Sequence, residues 1–206
     1  AKVVFCGGLQ AVRLARAFGA AVDFRIIPFR GDYFAIQNQP ADLVRHLIYP
    51  IPDPDRPFLG VHLTRKMNGG FTVGPSAVLA GAREGYAKTD FNLRDIGSAL
   101  SYPGYWRLMA RNAGSAADEL SAALSTRLYL RKVRKYCARI RLTDLKPYKA
   151  GIRAQAVGRD GRMIDDFLFV QTRHSLHVCN APSPAATSAL PIADHIVATL
   201  LAEKAA

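Results

Sequence analysis

The sequence predicts a mixed fold, α/β joined to α+β, in which a partial Rossmann-like nucleotide-binding domain is interrupted by a mostly antiparallel β-sheet lobe with helices. The chain opens on a strand, a glycine turn and a helix, continues through β-rich and then helical runs, and closes on a second strand and helix. Because a strand followed by a helix is half of a βαβ unit, both chain ends indicate a parallel sheet, whereas the middle is typical of an antiparallel one. The expected division is 1–22, 23–150 and 151–206.

The chain opens with AKVVFCGGLQAVRLARAFGA, which predicts a short buried strand, a tight turn and a helix. Val3 to Phe5 form the apolar strand and Gly7 and Gly8 the turn, after which apolar residues recur with the helical period of about 3.6. A strand of this kind normally lies inside a parallel sheet whose neighbours come from other βα units. We therefore expect the chain to begin in the middle of a domain.

The middle of the chain first shows short β-rich runs separated by proline and glycine, which predict strands of a mostly antiparallel sheet. Residues 90–141 then carry helical patterns, with Thr89 or Asp90 as the expected N-cap. The run AGIRAQAVGRDGRMIDDFLFVQT returns to strands, and Asp160 and Gly161 within it predict a hairpin turn. The final HVCNAPSPAATSALPIADHIVATLL leads from an apolar strand through prolines and small residues into a helix.

The net charge of +12 is concentrated in one place, since the segment 127–141, RLYLRKVRKYCARIR, contains no acidic residue. A nucleic-acid surface, a surface on anionic lipid and an ordinary solvated helix face would all carry such a segment. Because no nucleic-acid-binding motif or stacking aromatic pattern accompanies it, we predict no nucleic-acid partner. A weak peripheral membrane contact stays open beside the solvated face.

The cysteines and histidines place further limits on the class of protein. Three cysteines lie far apart, without a CxxC pair, which is typical of a reducing compartment. We therefore expect a cytoplasmic protein, with the inner membrane face as the place of any peripheral contact. His174 and His177 have a spacing seen in metal sites, but no third ligand lies near them in the sequence, so no metal site is predicted.

Four side chains on predicted strands are candidates for a polar site. Arg153 lies among apolar neighbours, and its planar guanidinium suits a carboxylate, either that of a ligand or that of Asp165 or Asp166. Arg30 and Arg65 raise the same choice. His62 is a lone histidine of a kind that is commonly structural, although a neutral imidazole also accepts a proton near neutral pH.

Two stretches would let a ligand approach the backbone. Gly7 and Gly8 lie between a strand and a helix start, which favours an anion, but an ordinary tight turn needs glycine as well. The stretch NAPSPAATS places small residues at a helix start, where a planar electron-accepting ring could be held as its negative charge grows. Ordinary capping by Ser183 or Thr187 explains the same residues.

Several long motifs together resemble one family. They are CGGL…RLARAFG, DFRIIPFRGDYF, HLIYPIPDPDRPFLGVHLTR, GGFTVGPSAVLAGAREGY and DDFLFVQTRHSLHVCNAPSPAATSALPIADHIV. They are similar to the C-terminal part of L-2-hydroxyglutarate oxidases and dehydrogenases, which belong to the D-amino-acid-oxidase-like group of FAD enzymes. The resemblance covers nearly the whole chain and is looser between about residues 100 and 141.

The resemblance implies a cofactor, a reaction and a set of site residues. In similar enzymes the ring of FAD lies at the start of the C-terminal helix, and the β-rich lobe covers the substrate. L-2-hydroxyglutarate, a 2-hydroxy acid, is oxidised to 2-oxoglutarate by hydride transfer to the flavin while a base takes the hydroxyl proton. The implied base is His62, and the implied substrate contacts are Arg153, Arg30 and Tyr33. The residues implied to lie at the cofactor are Gly7, Gly8, Ser183, Ala185, Ala186 and Thr187.

One departure from the family concerns the cofactor. The dinucleotide fingerprint G-x-G-x-x-G does not occur in these 206 residues, and Val12 stands where an acidic residue is usual. We therefore expect an N-terminal FAD-binding half to be the partner of this chain. Two alternatives stay open, a relative that acts on another hydroxy or amino acid, and an inactive fragment or basic binding module.

Overall fold

The structure, a computed structural model, describes residues 2–40, 42–51, 60–181 and 185–202. Strands within these residues are β1 (Val3–Phe5), β2 (Arg25–Gly31), β3 (Phe34–Ile36), β4 (His62–Arg65), β5 (Phe71–Gly74), β6 (Val78–Leu79), β7 (Leu145–Pro147), β8 (Gly151–Val157), β9 (Leu168–Gln171) and β10 (Ser175–Asn180). Helices are α1 (Ala11–Ala17), α2 (Leu93–Leu100), α3 (Pro103–Arg111), α4 (Ala113–Leu124), α5 (Thr126–Arg134) and α6 (Ala189–Ala202). The strands form three sheets, and most strand pairs are antiparallel.

The first sheet joins the two ends of the chain. Its order is β1-β10-β9, with β1 parallel and β9 antiparallel to β10. Val12 of α1 is buried in one cluster with Cys179 of β10, and Ile196 of α6 is buried in another with Leu176 and Val178. Because neighbouring residues of a strand point to opposite faces, α1 and α6 cover opposite sides of this sheet. The strand–turn–helix predicted at the start and the strand–helix predicted at the end therefore meet here, while a Rossmann-like character stays a prediction.

The second sheet lies between α1 and the helices of the middle segment. Its order is β6-β2-β8, and β2 pairs with β8 antiparallel along all seven residues. Ile27 and Phe29 of β2 belong to the cluster of α2 and α3, whereas Ile26 belongs to the cluster of α1. This alternation is the period of two expected for a strand buried on both faces. The strand β8 thus completes a sheet of the middle segment, and the domain boundary expected at residue 150 stays a prediction.

The third sheet, β4-β5-β3-β7, is wholly antiparallel, as the β-rich runs predicted. One of its faces carries Leu63 and Val73, which share a buried cluster with Tyr129 and Val133 of α5. The opposite face carries His62, whose register partner on β5 is Gly74. The helices therefore cover one side of this sheet and leave the side of His62 for other contacts.

The acid-free basic segment 127–141 begins in α5. Tyr129 and Val133 lie in the core, while Arg127 and Arg131 are exposed. An amphipathic helix with one buried face explains this distribution. In the described part of the chain, no helix is long and apolar enough to cross a membrane.

The predicted turn at Asp160 and Gly161 is present. Gly161 has a φ of +83°, in the left-handed region that favours glycine, and the bridge between Val157 and Met163 closes the turn. The chain then crosses to β9, which pairs with β10 rather than with β8. The local turn signal was therefore sufficient to predict the turn, whereas the partner of the following strand depends on distant residues.

Candidate functional site

Tyr33, His62 and Arg153, which we call the polar cluster, lie together where the second and third sheets meet. A Cβ built on Gly74, the register partner of His62, would lie 2.5 Å from Cδ1 of Tyr33, so the tyrosine ring packs directly on this strand. The charge of Arg153 affects the pKa of both Tyr33 and His62. Strands far apart in sequence thus bring three of the four predicted catalytic and substrate-binding residues into one neighbourhood.

His62 is held as a neutral imidazole with one defined acceptor nitrogen. It is 9% exposed, its ring stacks on Tyr49 at a centroid distance of 4.3 Å, and its Nδ1 lies 3.3 Å from the carbonyl oxygen of Gly60. Since a carbonyl oxygen can only accept, the proton is assigned to Nδ1, which leaves the Nε2 lone pair available. Burial lowers the pKa of His62, the Gly60 hydrogen bond opposes this, and the charge of Arg153 lowers it further. The side chain can therefore accept a proton at neutral pH.

Arg153 and Tyr33 supply a cation and a neutral hydroxyl beside this imidazole. Arg153 lies opposite Phe29 on β2. Burial lowers the pKa of Arg153, and Tyr33 and Glu119 raise it, so the guanidinium remains charged at neutral pH. Burial raises the pKa of Tyr33, partly opposed by Arg153, so its phenol remains protonated. Both groups donate hydrogen bonds, which suits a carboxylate acceptor.

Arg30 has different surroundings from those expected. It follows Phe29 on β2 and therefore points to the face of the sheet opposite to that of Arg153. Its Nε lies 3.0 Å from Oδ1 of Asp32, and its Nη1 donates to the carbonyl oxygen of Ala87 at 3.0 Å. Internal partners thus hold a side chain that is 8% exposed. A substrate contact for Arg30 stays a prediction that this geometry does not favour.

The predicted glycine turn touches the strand that carries Arg153. Gly8 has a φ of +48°, a left-handed conformation that glycine adopts at little cost. The 3-10 turn Gly8–Gln10 then contacts β2, β8 and β10. Gly7 and Gly8 are therefore placed at the junction of the first two sheets.

The small residues before α6 form a turn at 185–188, as the sequence predicted. Ala185 is half-buried and Ala186 and Thr187 are exposed, whereas Ser183 lies outside the described residues. Exposed small side chains at the start of a 14-residue helix let a ligand approach the backbone and the positive end of the helix dipole. The described ones leave the start of the helix accessible to a planar ring.

Asn180, which the sequence analysis missed, fixes the end of β10 just before this turn. Its Nδ2 donates to the carbonyl oxygens of Ile164 at 2.9 Å and Asp166 at 2.8 Å. An asparagine at the end of a predicted strand indicates little about this role, because the two carbonyl groups that accept its hydrogen bonds lie elsewhere in the sequence.

A buried ionic network that the sequence analysis also missed ties the glycine turn to the middle segment. Asp95, 7% exposed, accepts hydrogen bonds from the backbone N–H of Arg83 at 2.9 Å and from the guanidinium of Arg13. Arg83, 5% exposed, donates to the carbonyl oxygen of Leu9 in the turn. Burial opposes ionisation of Asp95, but these donors outweigh it and hold its pKa below the ordinary range.

The N-cap of α2 is Asn92, so the prediction of Thr89 or Asp90 was wrong. The Asn92 side chain accepts from two backbone N–H groups of the first turn, at 3.0 and 3.1 Å. Asp90 instead accepts from the N–H of Ala87 at 2.9 Å and closes the preceding turn. Both residue types cap helices, and the exact start of the helix decided between them.

The described residues include no group of three or more His, Cys, Asp or Glu side chains arranged to hold a metal ion. His177, one of the two histidines with metal-like spacing, is fully buried. Its Nε2 lies 2.8 Å from Oγ of Ser175, and its ring stacks on Phe5 at 4.8 Å. It has a packing role in the first sheet.

The three sheets, the polar cluster and the exposed turn before α6 are parts of an FAD-dependent oxidoreductase domain. The family described as FAD dependent oxidoreductase (DAO) matches residues 1–199, and the chain belongs to that family. The chain is 52% identical over 205 residues to an L-2-hydroxyglutarate dehydrogenase of Escherichia coli strain K12, covering 98% of this chain and 49% of the relative. A mitochondrial L-2-hydroxyglutarate dehydrogenase of Nematostella vectensis is 44% identical over 210 residues, covering 99% and 45%.

A mitochondrial L-2-hydroxyglutarate dehydrogenase of Bos taurus is 41% identical over 200 residues, covering 94% of this chain and 43% of the relative. The chain therefore corresponds to about half the length of these relatives. The resemblance inferred from the motifs is confirmed, including its restriction to a portion of the family's proteins.

Proposed function

We propose that this chain is part of an FAD-dependent dehydrogenase that oxidises L-2-hydroxyglutarate to 2-oxoglutarate. The observation that carries the proposal is the polar cluster, in which a neutral imidazole lies beside a charged guanidinium and a protonated phenol. A 2-hydroxy acid needs these three groups, a base for its hydroxyl proton and two donors for its carboxylate. The names of the relatives supply the particular acid.

The residues of this chain have separate roles in the proposed reaction. Arg153 and Tyr33 donate hydrogen bonds to the carboxylate next to the hydroxyl-bearing carbon, which fixes that carbon in position. Nε2 of His62 accepts the hydroxyl proton. The hydrogen bond from Nδ1 to Gly60 and the stack on Tyr49 hold the ring and leave the Nε2 lone pair for this role. FAD, when bound, supplies the acceptor for the hydride of the α-carbon.

The residues proposed to contact FAD are Gly7, Gly8, Ser183, Ala185, Ala186 and Thr187. Their common feature is a small side chain, with Thr187 as the largest. Support comes from the left-handed Gly8 and from the exposed turn before α6.

The proposed partner is the remaining half of the protein, which would bind the dinucleotide portion of FAD. β1 is an edge strand of the first sheet, and its Val3 and Val4 are 51% and 36% exposed. Strands of parallel pairs are normally buried on both faces, so such exposure favours a further strand and covering elements at this edge. The curated relatives are about twice as long as this chain, which is consistent with such a partner.

The test uses the completed enzyme, defined here as this chain joined to the N-terminal half of the Escherichia coli relative. Anaerobic flavin reduction is followed by absorbance with L-2-hydroxyglutarate, its D enantiomer, L-glutamate and lactate. We expect L-2-hydroxyglutarate to reduce the flavin fastest. Faster reduction by L-glutamate or lactate would instead support a relative acting on another acid, and bound flavin that no acid reduces would support an inactive fragment.

Two variants with matched controls test the assigned roles. His62→Ala should slow flavin reduction by about 10²–10⁴-fold with little effect on substrate affinity, because a general base acts in the transition state. The exposed His46 provides the control His46→Ala.

Arg153→Ala should raise KM with flavin still bound, and Arg65→Ala on an exposed strand position is its control. Normal reduction by His62→Ala, or an unchanged KM in Arg153→Ala, would remove that residue from the proposal.

A weak peripheral membrane contact is a separate proposal that rests on the exposed Arg127 and Arg131 of α5. Cosedimentation with vesicles that contain phosphatidylglycerol should then fall as salt rises, because salt screens exposed charges. Binding that does not respond to salt would contradict it.

A further inference from the structure

A cavity of about 250 Å³ lies between the second sheet and helices α3 and α4. Its walls are mainly apolar. The side chains that matter for ligand chemistry are Phe29, Tyr105, Met109, Ala116 and Leu120. The described lining residues include none of the polar cluster, so this cavity is a neighbour of the proposed substrate site.

The two carboxylates at the cavity already have internal partners. Asp118 and Glu119 line it, and Nζ of Lys132 lies 2.8 Å from Oδ2 of Asp118 and 2.7 Å from Oε1 of Glu119. The second carboxylate oxygen of Glu119 accepts the backbone N–H of Ala77 at 2.9 Å. Two carboxylates thus share one ammonium group, and Glu119 also interacts with the charge of Arg153. The described lining includes no Lys, Arg or His side chain, so an uncharged ligand fits it better than an anion.

We propose that this cavity binds a small uncharged aromatic molecule of one or two rings, and that its occupancy alters the polar cluster. The size follows from comparison with a dry apolar cavity of about 150 Å³, which accommodates benzene. The rings of Phe29 and Tyr105 offer edge and face contacts to an aromatic ligand, and the sulfur of Met109 favours such contacts as well.

The route from the cavity to the polar cluster is short. Gly60 lines the cavity, and its carbonyl oxygen accepts the Nδ1 proton that orients His62. Phe29 lines it too and lies directly opposite Arg153 in the β2–β8 pair. A ligand that displaces Gly60 or Phe29 by a few tenths of an ångström would therefore shift His62 or Arg153. This coupling rests on the proposed function, whereas the binding itself does not.

Binding is tested on the 206-residue chain with indole as the probe, by saturation-transfer NMR and titration. Ala116→Leu and Ala117→Leu each add a larger side chain at a lining position, and each should weaken binding by at least about tenfold. Ala113→Leu, on the same helix but exposed and outside the lining, is the matched control and should bind as the original chain does. Circular dichroism checks that each variant is folded.

Because Ala117 is exposed, Ala117→Leu should fold, and it tests the cavity even if Ala116→Leu does not fold. Unchanged affinity in a folded lining variant would overturn the cavity as the binding site. Lack of binding up to the solubility of indole, or loss of binding in Ala113→Leu, would overturn it as well.

Coupling is tested in the completed enzyme by measuring KM for L-2-hydroxyglutarate with and without saturating indole. We expect a change of about fivefold, in the usual range for coupled sites, and we expect Ala117→Leu to abolish it. An unchanged KM in an enzyme whose chain binds indole overturns the coupling. If L-2-hydroxyglutarate does not reduce the flavin at all, the proposed function fails, and the binding result on the chain still stands.

Discussion

Asp95→Ala is a substitution for which the structure predicts a large loss of stability. Asp95 accepts hydrogen bonds from the N–H of Arg83 and from the guanidinium of Arg13, and Nε of Arg83 lies 3.8 Å from its carboxylate. Alanine at this position would leave two positive charges side by side without the carboxylate that they share. The glycine turn would also lose support, because Arg83 holds the carbonyl oxygen of Leu9.

The expected cost follows from how far each partner is buried. Removing one member of a buried ion pair costs about 3–5 kcal/mol. The Arg13 side chain is 41% exposed and recovers hydration, whereas that of Arg83 is 6% exposed and does not. We therefore expect Asp95→Ala to lower the free energy of unfolding by about 3 kcal/mol, at the lower end of that range. Asp95→Asn keeps one acceptor and should cost about 1–2 kcal/mol.

The assay is equilibrium unfolding of the 206-residue chain in urea, followed by circular dichroism. The control is Asp118→Ala, since the side chain of Asp118 is 56% exposed and its pair with Lys132 should be worth less than about 1 kcal/mol. A loss for Asp95→Ala no larger than that of the control would refute the reasoning.

The same network predicts how the free energy of unfolding depends on pH. Its carboxylate has a folded-state pKa below the ordinary value of about 3.9, so ionised Asp95 contributes stability that is fully present above that value. This contribution is lost as the pH falls through the folded-state pKa. The difference in unfolding free energy between the original chain and Asp95→Ala should therefore be constant from about pH 7 to pH 5 and shrink below about pH 4. A difference that grows on acidification would contradict the assignment.

Two further predictions concern the polar cluster. Gly74→Ala places a methyl group 2.5 Å from Cδ1 of Tyr33. Such overpacking should lower the free energy of unfolding in urea by about 1–3 kcal/mol. An unchanged unfolding midpoint would contradict the packing. Because burial and Arg153 lower the pKa of His62, flavin reduction in the completed enzyme should be constant at neutral pH and fall only as the pH drops below the ordinary histidine value of about 6.5. A stopped-flow pH profile checks this, and a rate that already falls on the alkaline side of that value would contradict it.

The sequence predicted the order and type of most elements, since these depend on neighbours along the chain. The run Val3 to Phe5, the glycine turn and the helix after it all follow from local periodicity, as does the turn at Asp160 and Gly161. Long motifs likewise indicated the family without any knowledge of contacts. Helix boundaries were less predictable. Several residues that can cap a helix precede α2, and Asn92 is the one at the N-cap position.

The choice between Arg30 and Arg153 shows what periodicity could not decide. Both arginines alternate with apolar neighbours on their own strands. Which of the two lies on the face toward His62 depends on how β2 and β8 pair. The pairing places Arg153 with Phe29 and turns Arg30 toward Asp32 on the other face. A one-residue shift in register would have exchanged these faces.

The sequence by itself therefore determined the succession of strands, turns and helices and the family, because each of these is recorded in residues close together along the chain. The tertiary structure decided the site. Tyr33, His62 and Arg153 meet only through pairings between strands that are distant in sequence, and Asp95 finds Arg13 more than eighty positions away. Such contacts depend on the packing of whole sheets and helices, and local hydrophobic patterns do not record them.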